Sequence, residues 1–131
     1  MVRVVAAVIL TILSFGASAR DVVTMQAEYD FACKTLPVDC SDIPMPSIIY
    51  TKLLHDMGLW GAYVYGEDRV FLRPDAPEET YLHETVHYLL WQEGHTELTR
   101  CQTESAARRV TALYLHIPYT KDWYKVYGCH D

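Results

Sequence analysis

Apolar side chains recur at Leu82, Val86, Leu89 and Leu90, a three- and four-residue spacing that lays one stripe along a helix. Pro74-Asp75-Ala76-Pro77 halts the segment before it and opens this one. Asp75 is placed to cap, Pro77 is tolerated in a first turn, and Glu78 and Glu79 suit the positive end of the helix dipole. The helix is expected to run to Glu93, with Gly94 just past it. A second stripe, Ala106, Val110, Leu113 and Ile117, predicts a helix from about residue 97 to residue 116, ended by Pro118. A shorter repeat at Met25, Tyr29 and Ala32 predicts a helix within residues 24–34.

Between these segments the period changes. SIIYT, from residue 47, has the β-branched and aromatic content of a strand, and GAYVYGEDRVFLRP reads as two strands joined through Gly66, Glu67 and Asp68. The proline cluster IPMPS precedes them, and no repeat, low-complexity tract or glycine-serine linker interrupts the chain. Helix, strand, hairpin, helix, helix is the order of an α+β domain. The expected architecture is a small antiparallel sheet whose hairpin packs on the helix bearing His83 and His87, followed by a helix bearing Glu104.

The first nineteen residues, MVRVVAAVILTILSFGASA, are apolar without amphipathic period. One early cation, an apolar run over residues 4–15 and the small residues Ala17-Ser18-Ala19 make a secretory signal peptide. The run falls short of the roughly 20 residues that span a bilayer, so no stable membrane span is expected once it is removed. Residues 20–131 then form a single domain, secreted or periplasmic.

The cysteines agree with export. Cys33, Cys40, Cys101 and Cys129 all lie beyond the signal and are even in number. Three pairings are possible, and spacing favours a local Cys33–Cys40 loop with a Cys101–Cys129 clamp on the C-terminus. Loop entropy assigns about 2.5 kcal/mol to the first and about 3.6 kcal/mol to the second. No C-x2-C spacing supports a four-cysteine zinc site. The net charge of −6, more negative still once Arg3 leaves, argues against nucleic acid as a partner.

Candidate chemistry is concentrated in HETVH, residues 83–87. Residues four apart on a helix differ by about 40° in direction and about 6 Å in height, so His83 and His87 face one side and suit a shared metal ion. Glu84, about 100° round from His83, falls beside a water on that metal rather than on the metal itself. There it is placed to accept a proton as the water attacks a carbonyl, and to pass it to the leaving nitrogen. Chance would produce such a string in roughly one chain in sixty of this composition. No G-x-S-x-G elbow, phosphate-binding glycine loop or C-x-x-C pair competes with it.

HETVH, with the strand-hairpin-helix run before it, resembles the zinc-dependent metallopeptidases called zincins over residues 47 to about 116. The resemblance implies one zinc ion held by His83 and His87, Glu84 as general base, and a strand at 69–72 that pairs with an extended peptide. The metzincin continuation HExxHxxGxxH fails, because Leu90 and Glu93 stand where a glycine and a histidine belong. The gluzincin pattern, a glutamate on a following helix, points to Glu104 as third ligand, with Glu97 as runner-up and Glu93 and His95 behind. On the helical wheel Glu104 points about 160° from the Ala106 edge of its stripe. That helix must therefore pack on two sides, which the small Ser105, Ala106 and Ala107 permit, whereas a surface pair with Arg108 at i+4 is the plainer role for Glu104.

The expected function is an exported zinc metalloendopeptidase-like hydrolase in which Glu84 assists attack of a zinc-bound water on a peptide bond. The alternative is a disulfide-bonded extracytoplasmic zinc-binding or interaction domain without turnover. The substrate is a peptide or protein, short or extended unless a protein partner completes the shallow cleft that so small a chain can form. The ten tyrosines and three tryptophans read mainly as packing. Tyr119, Tyr124, Tyr127 and His130 follow the Glu104 helix, where zincins often supply a hydrogen bond to the reacting carbonyl, but no one of them stands out. His55 and His116 read as singletons.

Overall fold

The computed structural model describes residues 21–130, in the order α1 (Val22–Thr35), β1 (Ser47–Tyr50), α2 (Leu53–Asp56), β2 (Gly61–Ala62), β3 (Arg69–Leu72), α3 (Thr80–Gln92), α4 (Arg100–Leu115) and α5 (Tyr124–Tyr127). The expected signal peptide lies outside the described residues. No helix among them is long and apolar enough to cross a membrane.

Helix α3 is the centre of the molecule. The stripe Leu82, Val86, Leu89 and Leu90 is buried, and so are Tyr81, Thr85 and Tyr88 on other faces, because α3 packs on α4, on α1 and on β3 at once. Its start differs from expectation. Both carboxylate oxygens of Asp75 are taken at 2.8 Å by the Arg73 guanidinium, a charged bidentate partner that outcompetes backbone N–H groups, and the helix begins only at Thr80. Its end is as expected: Gly94 has φ 87°, and His95 N–H donates to Leu90 O.

Helix α4 starts at Arg100 behind a reciprocal cap. Thr99 Oγ1 accepts from Gln102 N–H at 3.1 Å, and Gln102 Oε1 accepts from Thr99 N–H at 2.8 Å. The inward face of α4 keeps only part of the expected stripe, Ala106 and Val110. Leu113 and Ile117 are 58% and 53% exposed, while Thr103, Glu104, Ala107 and Val110 are buried. Small side chains let α4 settle close against α3, and the larger aliphatic groups are left to the outside.

The α+β class stands, with one change in the sheet. Strand order is β1-β3-β2: the hairpin pair β2–β3 is antiparallel, Gly61 opposite Leu72, whereas β1 joins β3 in parallel, Ser47 opposite Arg69. The chain passes through α2 and β2 before returning as β3, so β3 runs in the direction of β1. Residues 69–72 are thus the central strand, with Val70 and Leu72 fully buried; β1 pairs with all four residues on one side, and β2 pairs with Phe71 and Leu72 on the other. Strand addition needs a free edge, which corrects the role expected of these residues; the sheet edges are β1 and β2.

The linker from α1 to β1 has little secondary structure of its own. Tyr29 Oη donates to Ile43 O, Tyr88 Oη to Pro44 O at 2.7 Å and Tyr81 Oη to Pro46 O at 2.8 Å, so three hydroxyls hold a segment whose prolines offer no N–H. The disulfides are Cys33–Cys40 and Cys101–Cys129, as the spacing favoured. The second ties the start of α4 to the segment carrying α5.

Candidate metal centre

Helix α3 presents His83 and His87 from successive turns toward α4, with ring centroids 5.2 Å apart. Glu104, on the second turn of α4, meets both. Its Oε2 lies 3.0 Å from His83 Nε2 and its Oε1 3.1 Å from His87 Nε2, and the Glu104 side chain is only 6% exposed. One ligand atom from each of the three residues falls within 4.8 Å of the others. The expected trio is therefore brought together, and Glu104 rather than Glu97 joins the histidines. Glu97 is 68% exposed and faces His95 at 3.8 Å, while Glu93 accepts from Asp39 N–H at 2.9 Å. His55 and His116 are exposed.

The donor set fits an ion. Glu104 meets the two imidazoles through different oxygens, at 3.0 and 3.1 Å, and one ligand atom from each residue lies within 4.8 Å of the others, close enough for the three to share an ion. Two imidazoles and a carboxylate are a donor set of the kind that would suit zinc.

Electrostatics hold the three groups in place. Burial alone would raise the Glu104 carboxyl, but hydrogen bonds from His83 and His87 and their charge bring it well below the usual range. Burial pushes the His83 imidazolium down, and the Glu104 hydrogen bond with the Glu84 and Glu104 charges more than restores it, leaving the net shift upward. Arg108 Nε donates to Glu104 Oε2 at 2.7 Å, one turn along α4. The i+4 contact with Arg108 foreseen for Glu104 thus forms beside the histidine contacts, but Glu104 is buried rather than on the surface.

Glu84 is buried beside the trio, and burial pushes its carboxyl pKa up. The edge strand β2 approaches it closely. A Cβ added at Gly61 would lie 2.7 Å from Thr80 Cγ2 and 3.0 Å from Glu84 Cγ, so only glycine lets the strand come this near. Between β2 and the segment after α4 opens a cleft of about 490 Å³, with His83, Glu84 and Arg108 on its inner surface and Trp60, Tyr119 and Trp123 among its walls. Of the residues after α4 considered from sequence, Tyr119 and Tyr127 line this cleft; Tyr124 and His130 do not. From sequence Arg108 was expected only as the i+4 partner of Glu104; its place in the cleft was missed, because that depends on which face of α4 is buried.

Fold and site define a small, disulfide-linked α+β domain with a candidate His-His-Glu metal centre, of which His83 lines a cleft. Comparison of the chain with protein-family models, curated proteins and solved structures finds no match.

Proposed function

We propose that the protein is an exported zinc-dependent peptidase of minimal gluzincin type. The observation that supports this best is the Glu104 carboxylate at 3.0 and 3.1 Å from the two HETVH imidazoles, with Glu84 buried beside them at the cleft. His83, His87 and Glu104 would hold one zinc, which supplies Lewis acidity at the cleft floor. Glu84, made more basic by burial, takes a proton from the attacking water and delivers it to the leaving nitrogen. An extended peptide is held by the β2 edge, Gly61–Ala62, rather than by residues 69–72, because β2 is the sheet edge that borders the cleft. The two disulfides fit a secreted or periplasmic protein. The cleft is open along one side, which favours short or extended substrates or a protein partner that completes it.

Metal analysis and a peptide-library assay test this together. Oxidised wild type should carry one zinc and cleave, and Glu84→Gln should keep the zinc while losing about 10²-fold or more in turnover. Equal turnover in that variant removes the mechanism. The second reading, a zinc-holding domain without turnover, draws on the full engagement of Glu104 by two imidazoles and a guanidinium, an arrangement a structural site also uses. It predicts zinc without cleavage and a melting temperature that falls on chelation.

A further inference from the structure

Arg108 has two edges with different neighbours. Its Nε is committed to Glu104 Oε2 at 2.7 Å, which fixes the position of the guanidinium one atom away from the candidate metal ligand. The guanidinium carbon stands 5.3 Å from the Trp123 ring and 5.7 Å from the Tyr127 ring, so aromatic faces brace it from the C-terminal segment. An arginine that only neutralised Glu104 could be enclosed between α3 and α4. Arg108 is instead 37% exposed and lines the cleft with His83 and Glu84, and among the described residues it is the one lysine or arginine that does so.

Base and cation share one cavity. Glu84 lies against Gly61 of β2, Arg108 lies against Trp123 and Tyr127 of the C-terminal segment, and both line the cleft with His83. A carbonyl held in that cleft meets both a base and a fixed cation. Tyr119, which also lines the cleft, has its hydroxyl 3.2 Å from Ser105 Oγ and its ring under Arg109 at 4.2 Å, so its polar and aromatic contacts are with α4.

We propose that Arg108 is a catalytic residue of this site, donating from its Nη amino groups to the carbonyl oxygen of the scissile amide as that oxygen becomes anionic, while its Nε holds Glu104. The proposal rests on the peptidase function above. In the step, water oxygen bonds to the carbonyl carbon, one water proton passes to Glu84, and the C=O π pair moves onto oxygen beside Arg108. The pair then returns, the C–N bond breaks, and the nitrogen takes the proton from Glu84, giving a carboxylic acid and an amine. Guanidinium stays charged throughout, so Arg108 serves as a fixed donor and not as an acid. A preorganised donor at a developing oxyanion contributes about 10² to 10³ in turnover.

The test compares zinc-loaded wild type, Arg108→Met and Arg108→Lys, with folding checked by circular dichroism. Three quantities are read: zinc affinity, kcat and KM on a peptide the wild type cleaves, and affinity for a phosphinic pseudo-tripeptide whose tetrahedral anion mimics the reacting carbon. Arg108→Met should lower kcat per bound zinc about 10²-fold or more with KM within about threefold, and weaken phosphinate binding by a similar factor. Arg108→Lys should recover part of both. If Arg108→Met only weakens zinc, with kcat per bound zinc and phosphinate affinity unchanged, the proposal is overturned and Arg108 merely positions Glu104. Should Arg108→Met fail to fold, Arg108→Lys decides by the same two readouts. A wild type that binds zinc but cleaves nothing overturns the peptidase function alone. Arg108 is then judged by phosphinate affinity, where equal binding by wild type and variant sinks it.

Discussion

Glu104 Oε1 lies 3.1 Å from His87 Nε2, a residue seventeen positions back along the chain, and the contact closes the site between two helices. Glu104→Ala is expected to abolish stoichiometric metal binding, whereas Glu97→Ala should leave it intact because Glu97 is exposed. The metal-free protein should also lose about 1.5–3 kcal/mol, since the variant removes a charged acceptor shared by two imidazoles and a guanidinium. Metal content by mass spectrometry and urea unfolding of both variants check this. Retention of metal by Glu104→Ala would reject it as a ligand.

Gly61 sets how closely β2 approaches α3. Its substitution by alanine introduces a Cβ 2.7 Å from Thr80 Cγ2, so strand or helix must shift, at a cost of about 1–3 kcal/mol. Because Glu84 is the second neighbour, Gly61→Ala should lower turnover more than it lowers zinc content. Equal stability and activity in the variant would show that the strand moves freely.

The two disulfides differ in reach. By loop entropy, Cys33→Ser/Cys40→Ser should cost about 2.5 kcal/mol and Cys101→Ser/Cys129→Ser about 3.6 kcal/mol. Only the second should also widen the cleft, because it anchors the segment bearing Trp123 and Tyr127. Its expected signature is a raised KM with wild-type zinc content, measured on the folded fraction.

Asp75 supplies a pH test. The Arg73 hydrogen bonds hold its carboxyl at about 2, below its ordinary value, so the ionised form is favoured in the folded chain. The sign follows from linkage: the contribution is present above the unfolded pKa near 4 and is lost as pH falls toward about 2. The stability difference between wild type and Asp75→Asn should therefore shrink across that window. A difference constant from pH 7 down to 2 would rule out the ion pair as its source.

Local features were legible in the sequence and relational ones were not. HETVH announced two imidazoles on one face because helical spacing alone decides that, and cysteine spacing favoured the two disulfides that form. Strand content in SIIYT did not reveal a parallel partner, since pairing direction depends on the route through α2 and β2. Asp75 had the composition of a cap but met Arg73 first. For α4, the wheel weighted large aliphatic groups, yet the buried face was chosen by closeness to α3, which rewarded Ala107 and admitted Glu104. That choice also carried Arg108 into the cleft.

The tyrosine hydroxyls on residues 43–46 bear on the rotation of α3. Tyr81 and Tyr88 flank the two histidines in sequence, and their bonds to Pro46 O and Pro44 O act as stops against rolling the helix about its axis. A roll that swung His83 and His87 off Glu104 would have to break both. The angular setting of the imidazoles is thus fixed from the far side of the helix, by a proline-rich linker that never touches the cleft.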